Sequence, residues 1–284
     1  MKLVNPKFEE LNNDNPLLLG EECTRVCYKS ENLIKEGSAK KLLTGIINSG
    51  HVAMIEHIPL YLEIGSEIDE LNYDNSNGFY KTMFSPYSKR ESYNGKWYVS
   101  SNLRVLFESD PELCEEFMSH DGNMFTFKCG YVRCCKFDEF PKMFHRRVTI
   151  KFTMDRIGSQ SFCRHRVFSF AQESTRWCNY LKEKFGSELS IITPCWLKDE
   201  DKSEFIHDME EIEKYYFKWV NKGYKAEDAR AFMPFGVKTE IIMTGFIDAW
   251  NHFFELRVDS HAHEQARELA IPLQEYFKEN GYIK

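Results

Sequence analysis

The chain has 284 residues, of which 42% are hydrophobic and 15% aromatic, enough for a sizeable core in one large domain or two small ones. Its net charge is −7, with 37 Lys and Arg against 44 Asp and Glu, and no arm is strongly basic, which argues against a protein that wraps duplex nucleic acid. No apolar run approaches the length of a membrane span, the N-terminal MKLVNPKFEELNND lacks the apolar core of a leader, and nine cysteines make an odd number, so the expectation is a cytoplasmic protein with reduced thiols and no membrane contact.

In chain order, residues 31–49 (ENLIKEGSAKKLLTGIINS) predict a helix whose apolar face includes Leu33, Leu42, Leu43, Ile46 and Ile47, stopped by Gly50. IPLYLEI (58–64) predicts a strand. The block 66–146 differs in character and carries no readable chemistry; it reads as an elaboration inserted after that first strand. Within it, KWYVSSNLRVLFE predicts a strand entering a short helix, SDPELCEEFMSH a capped helix, and NMFTFKCGYVRCCKF one or two strands. VTIKFTM (148–154) alternates, with Val148, Ile150, Phe152 and Met154 on one face and Thr149, Lys151 and Thr153 on the other. A short helix near Ser159 leads into an arginine-rich stretch. Residues 203–222 predict an amphipathic helix with Ser203 as N-cap and Gly223 as stop, residues 239–257 another helix, and residues 261–279 a last one, bent at Pro272. The pattern is mixed α/β, with a modest sheet and several helices.

RHRVFSFAQESTRW (164–177) gathers three arginines and a histidine beside hydroxyls and an amide. Consecutive residues of a straight helix lie about 100° apart, so Arg164, His165 and Arg166 converge only where a helix ends and the chain turns. Guanidinium groups match phosphate and carboxylate oxygens in bidentate fashion, which suits an oxyanion or nucleotide site. A surface triplet paired with Glu173 and Glu183 is the bland alternative. EDAR (227–230), ELRVDSHAHEQAR (255–267) and GHVAMIEH (50–57) add charged groups. No CxxC or HExxH pattern accompanies His261 and His263, so no metal site is expected. Cys163 and Cys178 flank the arginines but read better as small buried residues than as nucleophiles.

Four separated segments together resemble the flavin-dependent thymidylate synthases, the ThyX family. They are RHR, seven residues and Ser174, continuing STRWCNY; IEH at 55–57, similar to an F-E-H segment; AEDARAFMP, similar to A-R-x-x-L-P; and HFFELRVDSHAHEQAR, similar to L-R-x-D-x-H-A-Q. They keep the family's order, within 40–65 and 148–275.

The resemblance implies an α/β (α+β) fold with a mixed, largely antiparallel sheet flanked by helices, forming a single catalytic domain with the insertion at about 66–146. It implies a homotetramer with active sites between subunits, bound FAD reduced by NADPH, and methylenetetrahydrofolate as carbon donor in the conversion of dUMP to dTMP, with no nucleic-acid partner. By the same resemblance, His57, Arg164, His165, Arg166 and Gln172 would lie against the flavin. Arg164, Gln172, Glu173, Ser174, Thr175, Arg176 and Arg230 would hold dUMP, and Arg257 would sit beside the uracil and activate it. The sequence departs from the family at Ser161, where Gln or Glu is frequent. It departs again at GFIDAW (245–250), where G-N-x-R-A-W is frequent, so that Phe246 and Asp248 replace an amide and a cation; His252 or Asn251 would compensate. The alternatives are a catalytically impaired flavoprotein-like scaffold and a nucleotide- or RNA-binding module in which Phe168, Phe170 and Trp177 stack bases.

Overall fold

The computed structural model describes residues 1–284 apart from 13, 67, 69–76, 141–144 and 183–184. Two antiparallel sheets and one parallel strand pair account for the strands, and helices flank them.

The sheet that positions the arginine-rich stretch has the order β2 (Lys7–Glu10), β8 (Arg147–Asp155), β11 (Lys238–Phe246), β9 (Ser169–Gln172), all antiparallel. Alternation in β8 works as expected: Val148, Ile150, Phe152 and Met154 enter one core, joined by Ile241 and Met243 of β11. That core is closed by Phe162, by Trp250, Phe253 and Phe254, and by Leu269, Leu273 and Phe277. These come from helices α6 (Arg156–Phe162), α9 (Ile247–Arg257) and α10 (Glu264–Glu279). The opposite face, with Ala171 and Ile242, packs on Leu19, Cys23 and Val26 of helix α1 (Pro16–Tyr28). A sheet covered on both faces needs apolar side chains in both directions.

That double burial explains one correction. Residues 239–257 form a strand and then a helix, not one helix, because TEIIMTGF is buried on both faces and its continuous apolar run mimics a buried helix. Gly245 is where β11 meets the Phe168 ring: a Cβ there would lie 2.6 Å from it.

The second sheet has the order β4 (Lys89–Tyr93), β5 (Lys96–Asn102), β3 (Pro59–Ile64), β7 (Val132–Cys134), β6 (Phe125–Thr126). Strand β3, the strand expected at 58–64, pairs with β5 and β7. Leu60, Leu62, Ile64, Val99 and Val132 build its core. Against them pack Leu43 of α2 (Ser38–Asn48), Phe79 of α3 (Gly78–Phe84), Leu106 of α4 (Leu103–Ser109) and Phe117 of α5 (Pro111–Ser119). Asp110 caps α5 by accepting from the amides of Glu112 and Leu113, with Pro111 in the first turn. The helix expected over 31–49 is shorter, a 3-10 turn at Glu31–Leu33 preceding α2, and Gly50 ends it at φ +77°. The polar stretch after residue 66 lies largely outside the described residues.

Strands β1 (Lys2–Val4) and β10 (Ser190–Ile192) pair in parallel, and Leu189, Ile191, Cys178 and Tyr180 there meet Tyr216 and Val220 of helix α7 (Lys202–Asn221). Ser203 lies inside α7; the cap position is Asp201, whose side chain makes no capping bond. A short helix, α8 (Ala226–Ala229), leads into the turn that bears Arg230. Helix α10 runs on through Pro272.

Candidate functional site

Asp155 ends β8 and caps α6 by accepting from the Gly158 amide at 2.7 Å. Helix α6 stops at Phe162, and two backbone bonds, His165 N–H to the Phe162 carbonyl and Phe168 N–H to the His165 carbonyl, turn the chain into β9. The RHR triplet therefore sits in the turn that its convergence required. Arg164 and Arg166 point to the exposed side, while His165 is buried against Phe253, ring centres 5.1 Å apart.

Arg257, the last residue of α9, reaches this turn. Its Nε donates to His165 Nε2 at 2.9 Å and one terminal nitrogen donates to the Ser161 carbonyl at 2.7 Å. Among the described residues no carboxylate pairs with it. Burial, with the Arg257 and His252 charges adding to it, pushes His165 down to about 4, so the ring is neutral near pH 7 and accepts through Nε2. Burial and the nearby Arg164 hold Arg257 below its ordinary value. His252 is exposed, its ring 6.2 Å from that of His165, with Glu255 at 3.1 Å.

At the far end of β9 a second cluster forms. The Arg230 guanidinium donates to Thr175 Oγ1 at 3.4 Å and to the Glu227 carbonyl at 3.0 Å, and Arg176 Nε lies 3.3 Å from the Glu227 carboxylate. Both arginine heads are exposed. The Ser174 amide donates to the Cys27 carbonyl. Gln172 Nε2 is held by Ser159 Oγ at 2.9 Å and Thr239 Oγ1 at 3.3 Å. Glu173 is buried, and its two oxygens accept from Tyr180 and Lys238 at 2.7 and 2.8 Å. The four residues of β9, about 13 Å of extended backbone, lie between the two clusters in the chain.

His57 takes neither place. It closes the 3-10 turn Val52–His57 and is fully buried, with Nδ1 2.7 Å from Thr244 Oγ1, itself 2.9 Å from Thr149 Oγ1. Its Nε2 is enclosed without a partner. Burial and the charge of Arg147 push it down to about 3.

Residues the sequence reading passed over complete the picture. A cavity of about 700 Å³ lies between the RHR turn and the second sheet. Arg166, His252, Phe246 and Asp248 line one side, and Lys89 and Arg104 of the block line the other. Lys89 forms an ion pair with Asp248 and lies 5.4 Å over the Phe246 ring; Arg104 pairs with Glu56 and Glu108. The block thus brings a cation to the point where the family pattern would carry one at position 248. Nothing in the local sequence around Lys89 signals this, because the contact spans 159 residues of chain.

Among the described residues no group of three His, Cys, Asp or Glu side chains is placed to hold a metal ion. Cys163 is exposed, not the small buried residue expected, though partial desolvation still raises its thiol above the ordinary value; Cys178 is fully buried. No helix is long and apolar enough to cross a membrane among the described residues.

The family model described as thymidylate synthase complementing protein (Thy1) matches residues 143–280, the segment from the start of β8 into the end of α10. The chain is 34% identical over 130 residues to the flavin-dependent thymidylate synthase of Pyrococcus furiosus, covering 45% of this chain and 53% of that one. To the enzyme of the same description from Sulfurisphaera tokodaii it is 32% identical over 125 residues, covering 44% and 47%. It thus spans about half the length of the relatives it matches. A looser likeness, at 13% identity and a TM-score of 0.43, covers 98% of this chain and 93% of a UMP/dUMP methylase, PolB, from Streptomyces cacaoi. Over residues 143–280, just under half of the chain, which carry RHR, Ser174, Arg176, Arg230 and Arg257, the chain is similar to the flavin-dependent thymidylate synthases.

Proposed function

We propose that this chain, as a homotetramer with sites between subunits, carries out the reductive methylation of dUMP to dTMP. Methylenetetrahydrofolate is the carbon donor, and FAD reduced by NADPH is the hydride source. The observation that carries the reading is Arg257: a half-buried cation with no carboxylate among the described residues, held by a neutral histidine and a carbonyl. Of the five N–H donors of a guanidinium, two are engaged, which leaves three for a ligand.

In this reading Arg257 stabilises negative charge developing on the pyrimidine as C5 gains electron density. Neutral His165 fixes the guanidinium without quenching its charge. Thr175, Arg176 and Arg230, with Ser174, take the nucleotide phosphate, whose oxygens suit several donors at once. Bound flavin supplies the hydride. The residues suit that cofactor: cations and the Phe246 ring face one cavity, and the enclosed Nε of Arg147 on its wall has no partner. Arg164, Arg166 and His252 would hold it, and His165 would back them; Gln172 and His57, each tied to internal hydroxyls, would act as supports. Residues 1–284 then form one catalytic unit carrying an insertion, whose sheet includes β3 as well as 66–146.

The test is spectroscopic. Purified protein reconstituted with FAD should show flavin absorbance that bleaches on anaerobic addition of NADPH, and should form dTMP from dUMP when methylenetetrahydrofolate is added. Failure to take up FAD sinks the reading. Flavin uptake without dTMP formation favours the impaired scaffold instead.

A further inference from the structure

The wall of the cavity nearest β8 is built by a residue with no family counterpart among the motifs. Arg147 opens β8, where its backbone amide donates to the Tyr61 hydroxyl of β3 at 3.1 Å, so the second sheet sets where this side chain begins. The guanidinium then donates to the Glu56 carbonyl at 3.0 Å and reaches Ser169 Oγ at 3.5 Å. Its Nε is buried with no partner, and its face lies 5.0 Å over the Phe246 ring. No carboxylate pairs with it among the described residues. A half-buried cation whose enclosed Nε has no partner, held only by neutral oxygens, is costly unless an anion completes it. Four fixed cations face the cavity, Lys89, Arg104, Arg147 and Arg166, against three carboxylates, Glu56, Glu108 and Asp248. Arg104 engages two of those carboxylates and Lys89 the third, so the unmatched charge belongs to Arg147 and Arg166.

The geometry points to Arg147, with Lys89 near the same Phe246 ring, as the anchor for the diphosphate of the flavin dinucleotide, clasped between the second sheet and the RHR turn. The inference rests on the flavin reading above. A guanidinium fork matches paired phosphate oxygens, and Lys89 is a mobile point charge able to exchange Asp248 for the ligand. The block is then part of the cofactor site, and its cation at residue 89 does the work of one absent from position 248.

The test compares FAD with riboflavin, which has the same ring and no phosphate, by titration calorimetry on the full-length chain. Arg147→Met keeps most of the packing and removes the charge; it should weaken FAD roughly 10- to 100-fold while riboflavin changes less than about twofold. Arg147→Lys should recover part of the loss. Lys89→Ala, on the open edge of the cavity, should weaken FAD roughly three- to tenfold with riboflavin again unmoved, and it carries the test alone if Arg147→Met does not fold by circular dichroism. Equal losses for FAD and riboflavin, or no loss of either, overturn this inference and leave the flavin reading standing. A native chain that binds neither ligand overturns both.

Discussion

At the scale of single residues, charge without a countercharge marks the candidate site. Arg257 is the clearest case, because α9 ends where His165 and the Ser161 carbonyl can hold it while no acid does. Arg257→Ala should lower turnover on the order of 10²- to 10³-fold, by analogy with loss of one oxyanion donor, and leave FAD affinity within a few-fold. Steady-state assay beside flavin titration checks this; near-native dTMP formation would remove Arg257 from the activating role. The histidines make a second prediction. His57 and His165 are depressed from an ordinary 6.5 to about 3 and about 4, chiefly by burial. The folded state keeps them neutral while the unfolded chain takes up protons below pH 6.5. Their contribution is therefore complete above pH 6.5 and is lost as pH falls from there toward 4. Glu268, raised to about 7 by burial and the Asp155 charge, works in the opposite sense, weakening the fold as pH rises from about 4.5 to 7. The two effects overlap, so the informative measurement is a difference. The thermal midpoint of His165→Phe should fall less between pH 7 and 5 than that of the native chain. Parallel curves for the two proteins would contradict the assignment.

At the scale of elements, β9 and the turn before it do most of the positioning. The Phe168 ring leaves the RHR turn and covers the backbone of β11 at Gly245, where no Cβ fits. Gly245→Ala should therefore push Phe168 out of place and cost about 1–3 kcal/mol in a denaturant titration. It should also disturb the cavity that Phe168 lines. An unchanged midpoint would mean the ring yields freely. This element also shows what sequence can and cannot carry. The alternation of β8, the cap and proline of α5 and the end of α2 at Gly50 are local signals, and each is legible because it involves residues a few positions apart. Strand β11 reads as helix from sequence because burial on both faces erases period-two alternation. Strand β3 is legible as a strand, but its pairing with β5 and β7 is not, because alternation fixes a strand and not its partner. The site divides in the same way. RHR, Ser174 and Arg257 stand out through motif spacing, whereas Lys89 and Arg147 gain meaning only when distant segments meet across the cavity.

At the scale of the whole molecule, the separation of the two cation clusters becomes the central fact. In one chain, His165 and Arg257 stand at the start of β9, and Thr175, Arg176 and Arg230 follow its end. About 13 Å of β9 backbone stands between them, so one nucleotide would have to lie along the strand to meet both clusters of a single chain. We propose that the site joins the first cluster of one subunit to the second cluster of a neighbour, an arrangement that symmetric assembly would repeat in every subunit. Complementation tests this directly. Arg257→Ala disables one cluster and Arg176→Ala the other, each chain alone being expected to assemble and to be nearly inactive or to require far more dUMP. When the two are unfolded together and reassembled in equal amounts, random mixing should restore roughly a quarter of the sites, each drawing an intact cluster from two different chains. Activity that stays at the level of the separate variants, in assemblies shown by light scattering to be mixed, places both clusters in the service of one chain and refutes the shared site.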